Sequence, residues 1–413
     1  MPQSTAPVQP RLPAPVPAAA AQQALPLRLL VVIGTMTMLP ALAIDAYLPA
    51  LPTIAPDLGT THAGAALSLT SCMAGLAVGQ LVAGPLSDRY GRRPPLLVGL
   101  LGFVLSSALC ALAWSGASLL VFRLLQGLLG SATCVGAAVV RDRARDADAA
   151  RAFSLLTLIT GAGPVLAPVL GAQALRCVPW RGIFVGLAVL GAVSLAVVAR
   201  WLPETLDRAH RREAGLQATL RAFGRLARMR GFMTYLAAGS LANCAVFAYL
   251  AGSAFALQDG YGLSAQQYSS VVGLNALGVV ATGSLNAPLV GRFDPRALLL
   301  VGLVGSVASG VVVLAAVLLH APLACVLAGL FGLLVATGLV RPNCGALGLS
   351  AQDGAAGSAV ALSGFVGWVS GGLTAPLVGA VDGGSAASMA TVLLASSAGA
   401  LLCVVLPGRR ARS

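Results

Sequence analysis

Residues 85–100, PLSDRYGRRPPLLVGL, align without a gap to residues 288–303, PLVGRFDPRALLLVGL. Pro85 and Pro288, Leu86 and Leu289, Arg89 and Arg292, and Arg93 and Arg296 coincide, Tyr90 faces Phe293, and the run from Leu96 to Leu100 recurs as Leu299 to Leu303. A weaker echo pairs Leu125-Gln126-Gly127-Leu128-Leu129-Gly130 with Leu327-Ala328-Gly329-Leu330-Phe331-Gly332. The chain therefore reads as two related halves, and each half has to be explained by the same local physics.

Around these repeats the 413 residues are 57% hydrophobic and only 9% charged, whereas soluble domains carry about 25% charged residues. A twelfth of the length is roughly 34 residues, room for one apolar span of about 20 and a short connection. Apolar stretches recur at about 27–51, 63–86, 94–113, 116–139, 152–175, 182–202, 232–256, 266–290, 296–319, 322–347, 355–380 and 386–406. The expected architecture is an all-α integral membrane protein with twelve transmembrane helices.

The 26 basic residues against 13 acidic ones give a net charge of +13, and every basic residue is arginine. They stand singly or in small groups between apolar runs, which marks membrane topology rather than a nucleic-acid-binding stripe, so no nucleic-acid partner is expected. Arg89, Arg92 and Arg93, then Arg141, Arg143, Arg145 and Arg151, the stretch from Arg200 to Arg230, Arg292, Arg296, Arg341 and the terminal Arg409, Arg410 and Arg412 fall on one side. Only Arg176 and Arg181 fall on the other, with Asp57, Asp259 and Asp382 in its loops. The arginine-rich side is cytoplasmic, so both termini are cytoplasmic.

Residues 1–26 are rich in Pro, Ala and Gln and read as a disordered cytoplasmic tail without a cleavable signal pattern. Residues 27–202 and 232–406 form two expected six-helix bundles, joined by a polar linker at 203–231 and followed by a short tail at 407–413. In the linker, Leu216, Leu220, Phe223 and Leu226 alternate with Arg221, Arg225 and Arg228. That pattern fits an amphipathic helix on the inner membrane face or a solvated linker helix. The eight cysteines lie mostly in apolar runs without metal spacing and read as small buried hydrophobes. No Walker loop, nucleophile triad or zinc constellation is present, which argues against an ATP-driven pump and an intramembrane enzyme. Duplicated six-helix halves point to a transporter with its site between them.

Four segments carry the chemistry. Asp45, in ALAIDAYLPALP (41–52), is an acid well inside an apolar run, toward the outer end of the first span. Such a residue is a functional candidate by default, and removal from water disfavours the charged carboxylate, which makes reversible protonation possible at working pH. The alternative is an interfacial carboxylate that accepts hydrogen bonds at a helix end. Arg123, in Arg123-Leu124-Leu125-Gln126-Gly127, lies just inside the fourth span, where an unpaired guanidinium costs at least about 2.5 kcal/mol. It is expected to face the interior and have a partner, or to snorkel to the outer interface. Gly84-Pro85-Leu86-Ser87-Asp88-Arg89-Tyr90-Gly91-Arg92-Arg93 can form charge-assisted hydrogen bonds at the cytoplasmic seam and act as a gate, together with Arg141 and Asp142. In the second copy Gly291 replaces Asp88, so such a latch is asymmetric. Finally, 161–172, GAGPVLAPVLGA, with Gly163, Pro164, Pro168 and Gly171, describes a bent helix that allows close backbone approach.

The 84–93 segment resembles the signature loop of the major facilitator superfamily, and Arg123 to Gly127 resembles the R-x-x-Q-G motif of its proton-coupled members. The glycine- and proline-rich fifth span resembles the antiporter motif associated with exporters. Ile44-Asp45-x-Tyr47-Leu48-Pro49-Ala50-Leu51-Pro52, with Gly79-Gln80, Leu202-Pro203-Glu204-Thr205, Tyr261-Gly262-Leu263-Ser264 and Ala356-Gly357-Ser358-Ala359, is similar to the bicyclomycin/chloramphenicol resistance (Bcr/CflA) branch. The likeness runs over about residues 28–405; the absence of lysine touches no motif position.

The resemblance implies a monomeric, multi-pass protein of the bacterial inner membrane that exchanges protons for a small amphipathic, antibiotic-like compound. The proton gradient is its energy source, and no cofactor or metal is expected. Asp45 and Arg123 would couple the proton, and Tyr47, Gln126, Asn243, Tyr249, Asn275 and Trp368 are expected at the substrate cavity, unless they serve helix packing. An exporter or facilitator of an endogenous metabolite, or a membrane sensor without flux, are the competing readings.

Overall fold

The computed structural model describes residues 27–143, 146–206, 216–351, 356–380 and 385–410. The expected tail at 1–26 and residues 207–215 of the linker lie outside the described residues; of the tail expected at 407–413, residues 407–410 continue the last helix and 411–413 lie outside the described residues. The helices are α1 (Leu27–Asp45), α2 (Leu51–Asp57), α3 (His62–Tyr90), α4 (Arg93–Ala111), α5 (Gly116–Gly130), α6 (Val135–Arg143), α7 (Asp146–Ala174) and α8 (Trp180–Trp201) in the first half. After α9 (Leu216–Leu226) come α10 (Arg230–Phe255), α11 (Ala265–Val290), α12 (Pro295–Leu318), α13 (Leu323–Ser350), α14 (Ala356–Ala380) and α15 (Ala386–Arg410). Among the described residues, eleven helical segments are long and apolar enough to cross a membrane. The 29-residue α7 is the twelfth long helix. The fold is the expected all-helical one.

Two spans are broken, and both breaks shape the site. The first crosses as Val31–Asp57, a 27-residue segment. It leaves the α-helix at Asp45, passes through a 3-10 turn at Leu48–Ala50 and resumes as α2. Pro49 and Pro52 sit at the second positions of the two short helices, in a first turn whose N–H groups have no intrahelical partner. Asp45 thus stands near the middle of the span, a correction to its expected place toward the outer end. The fourth span breaks in the same way, with a 3-10 turn at Ser131–Cys134 between α5 and α6.

The repeated motif builds the same packing twice. Leu96, Leu100, Leu299 and Leu303 are all fully buried. A side chain at Gly99 would collide with Ala132, and one at Gly302 would lie 2.9 Å from a Val340 methyl. Both glycines let α4 and α12 lie close against the following span, as membrane helices do in the absence of a hydrophobic drive between them. The halves meet along α3 with α14 and α7 with α11. α9 packs on α14 and α3, with Leu226 buried beside Phe232, Leu236 and Leu362. Ala222 and Leu226 are buried, Phe223 is partly buried and Leu220 stays exposed, so the protein covers part of its apolar side.

Candidate functional site

Arg123 comes from the middle of α5 and is completely buried. Its Nη1 donates to the carbonyl of Ala43 at 2.8 Å and to Gln126 Oε1 at 2.6 Å, and its Nε donates to the Ser68 carbonyl at 3.4 Å. The guanidinium lies over the Tyr47 ring at 4.3 Å and 5.7 Å from the Phe184 ring. Gln126 continues the chain by donating to Ser107 Oγ at 2.8 Å, and Tyr47 OH shares a 3.0 Å hydrogen bond with Ser68 Oγ. No acidic side chain pairs with Arg123, and its Nη2 has no partner among the described residues. Neutral oxygens and two ring faces hold the charge, a desolvated arrangement in which cation–π attraction reaches about 2 kcal/mol or more. The expected partner exists, but it is a polar network tying α5 to α1, α3, α4 and α8.

Asp45 is not part of that network. It is 7% exposed, and its carboxyl makes no hydrogen bond or ion pair among the described residues. It lies within electrostatic range of two buried tyrosines of the second half, Tyr249 and Tyr268. Asn275 donates to Tyr249 OH at 2.9 Å, and Tyr268 OH pairs with Ser253 Oγ at 3.2 Å. Asp45 and Arg123, expected to act as a pair, thus face different surroundings. Arg123 is locked inside the first half, and Asp45 lies within electrostatic range of the second. Their structural link is the α1 backbone, because Arg123 grips Ala43 two residues before Asp45.

α7 closes on the same turn. A side chain at Gly171 would overlap the carbonyl oxygen of Ala46, and one at Gly163 would come within 3.1 Å of Ala41 Cβ. Pro168 is buried and Pro164 is exposed, so the two prolines, expected on one face, differ in environment. The Gly- and Pro-rich span therefore supports the bend beside Asp45.

At the cytoplasmic end, Arg92 gathers the 84–93 segment. Its Nη1 bonds Asp88 and donates to Ser87 Oγ at 2.8 Å, and its Nε meets Asp142 Oδ2 at 2.8 Å. Gly91 has φ +98°, which a residue with a side chain rarely adopts. Arg89 lies 5.3 Å from the Tyr90 ring. Arg93 Nη2 donates to the Ala199 carbonyl at 2.6 Å. A side chain at Gly84 would meet open space, so this glycine serves no close packing. The side chain of Arg141 lies outside the described residues.

Glu204 is the member of this cluster that sequence reasoning missed. Its carboxylate accepts from the backbone N–H groups of Arg92 at 2.8 Å and Arg93 at 3.2 Å, as well as Thr205 and Leu206, so it caps α4. Burial pushes its carboxyl up, but the four backbone donors outweigh this and leave it below the ordinary carboxylate range. The Pro203-Glu204-Thr205 turn after the sixth span was the available signal. These bonds all lie in the first half.

The polar contacts across the seam among the described residues lie at the outer end. His62 stacks on Phe255 at 4.4 Å and lies 3.6 Å from Asp259 Oδ2. Gln258 Nε2 donates to the Pro49 carbonyl at 3.3 Å, and Gln266 Nε2 to the Ala172 carbonyl at 3.0 Å. At the cytoplasmic half, a cavity of about 290 Å³ opens between α10, α13 and α14. Asn243 is the one residue of the six expected at a substrate cavity that lines it. Tyr47, Gln126, Tyr249 and Asn275 are fully buried, their polar ends taken by neighbours, and Trp368 packs 6.5 Å from Phe247. The polar contacts across the seam thus cluster at one end, and the cavity lies in the second half toward the other.

Residues 33–376 match the Major Facilitator Superfamily. The chain belongs to this superfamily. It is 35% identical over 356 residues to the uncharacterized MFS-type transporter YdgK of Bacillus subtilis, covering 86% of this chain and 89% of that protein. It is 33% identical over 273 residues to the multidrug resistance protein MdtL of Klebsiella pneumoniae, covering 65% of this chain and 68% of that one. Among solved structures, the D-xylose-proton symporter superposes with a TM-score of 0.70 at 16% identity, covering 90% of this chain and 96% of that chain. The nucleoside transporter NupG superposes with a TM-score of 0.73 at 12% identity, covering 92% and 98%. This major facilitator is a multi-pass membrane protein whose relatives are transporters.

Proposed function

We propose that this facilitator is a proton-coupled exporter of the Bcr/CflA kind, moving small amphipathic, antibiotic-like compounds out across a bacterial inner membrane as a monomer. The observation that carries the reading is Asp45, a buried acid without a hydrogen-bond partner among the described residues, at the break of the first span and within electrostatic range of tyrosines of the other half. A carboxyl so placed is stable in its neutral form and can ionise only when water or a counter-charge reaches it. Rocking of the halves supplies that change of access. The relatives named multidrug resistance protein support the class of cargo.

In this scheme the outward-facing state exposes Asp45 to external protons, and closure of the outer contacts carries the neutral acid inward. Release to the cytoplasm resets the cycle, and one carboxyl moves one proton per turn. Arg123 is a positioning residue, holding the α1 break through Ala43 rather than meeting the acid directly. The cluster around Asp88, Arg92 and Asp142 gates the cytoplasmic side by bracing the end of the first half.

Everted membrane vesicles with an imposed proton gradient test the reading, with chloramphenicol and bicyclomycin added to wild type and Asp45→Asn. Wild type should dissipate the gradient in a compound-dependent way, and the variant at least tenfold more slowly. Equal dissipation by the folded, inserted variant would show that Asp45 is not the carrier. No response from wild type to either compound would remove the drug assignment.

A further inference from the structure

Arg341, which the sequence assigns to the arginine-rich side, lies inside α13, nine residues before Ser350. At 1.5 Å per residue that is about 13 Å from the cytoplasmic end of the helix. It lines the 290 Å³ cavity, is exposed to it, and has no ion pair or hydrogen bond among the described residues. No residue lining the cavity is acidic. An ionisable residue on a cavity wall within a spanning helix, with no counter-charge beside it, marks a substrate path by default.

The neighbours complete a binding surface. Asn243 spends its Nδ2 on the Gly367 carbonyl, and the hydroxyls of Tyr235 and Ser363 have no partner among the described residues. Phe232 and Leu236 supply an apolar wall from α10, beside Tyr235. Phe232 and Tyr235 stand in the first two turns of α10, and Val360 and Ser363 near the start of α14, so the cavity opens toward the cytoplasm. Its volume is at the small end of ligand pockets, about 300–1,000 Å³.

We propose that Arg341 makes this cavity a binding site for the anionic group of a small amphipathic organic molecule, with Tyr235 and Ser363 donating to the same group. A planar guanidinium with free donors matches a carboxylate, sulfonate or phosphate bidentately, and the aromatic wall takes the apolar body. The proposal deepens the transport reading and rests on it for calling the bound molecule cargo. The site excludes cationic amphiphiles, because nothing in its lining offsets a second positive charge.

Equilibrium binding to the full chain in phosphatidylcholine nanodiscs, with no gradient imposed, tests it independently of proton coupling. The probes are 2-naphthoate, 2-naphthamide and 2-naphthylmethylammonium, one aromatic body in three charge states. Wild type should bind the anion at least tenfold more tightly than the amide, and the cation weakest. Arg341→Gln should erase the preference while keeping amide binding, which also shows that the variant is folded. Ser363→Glu, with Arg341 intact, should erase it too by supplying an internal counter-charge. Equal binding of all three probes by wild type, or an unchanged preference in Arg341→Gln, overturns the proposal. Nanodiscs containing phosphatidylglycerol separate the two sources of anion: displacement of 2-naphthoate by that lipid would make the site a headgroup site and overturn its role for cargo. Failed drug export with intact anion preference would instead overturn the choice of exported compound alone.

Discussion

At Gly171, α7 lies against the turn after Asp45 so closely that a β-carbon would overlap the Ala46 carbonyl. Gly171→Ala must push the α1 break aside, and overpacking of this kind costs about 1–3 kcal/mol. Thermal unfolding of the purified protein should therefore show a clear loss for Gly171→Ala. Gly84→Ala, where the added carbon meets open space, should stay within about 0.5 kcal/mol of wild type. At this scale the sequence was a good guide to which residues matter and a poor one to what they touch. Asp45 and Arg123 stand out because each is an ionisable group in an apolar run. Whether they meet depends on the rotation of α5 against α1, and here Arg123 turns to Ala43, Gln126 and the Tyr47 ring instead.

At the scale of elements, Glu204 shows how a loop residue determines a helix start. Four backbone N–H groups favour its charged form, and two of them belong to Arg92 and Arg93 at the first turn of α4. Because the folded carboxyl sits below the ordinary range, its contribution is fully present above the unfolded value and is lost as pH falls through the folded one. The stability difference between wild type and Glu204→Gln should therefore be largest near neutral pH and shrink in acid, as followed by unfolding at a series of pH values. A constant difference would mean that shape rather than charge does the capping. α9 makes a related point: its alternating Leu and Arg pattern identified a helix with two faces, while its covering by α14 and α3 depended on the neighbours being there.

For the whole molecule, the seam is closed on the outside by a few polar and aromatic contacts, among them His62 on Phe255 and Asp259, Gln258 on Pro49, and Gln266 on Ala172. Contacts that exist in one state only set the balance between states, and loss of one or two changes that balance by its differential free energy. A protein carrying Asp259→Asn and Gln266→Ala should shift toward the outward-open state. Spin labels at Trp114 and Leu319, exposed at the outer ends of opposite halves, would report it as a longer distance population. An unchanged distance distribution would show that closure rests on α3 against α14 and α7 against α11 alone.

Span number and the two-fold repeat were legible in the amino-acid sequence, because each is a property of a segment by itself. An apolar run of sufficient length crosses, whatever packs beside it. The depth of Asp45 followed only from the structure, since the first span continues past its break to Asp57. The separation of Asp45 from Arg123 and the exposure of Arg341 to a cavity were likewise decided by the tertiary structure. They depend on how helices distant in sequence rotate and pack against one another, and no window of sequence contains both sides of such a contact.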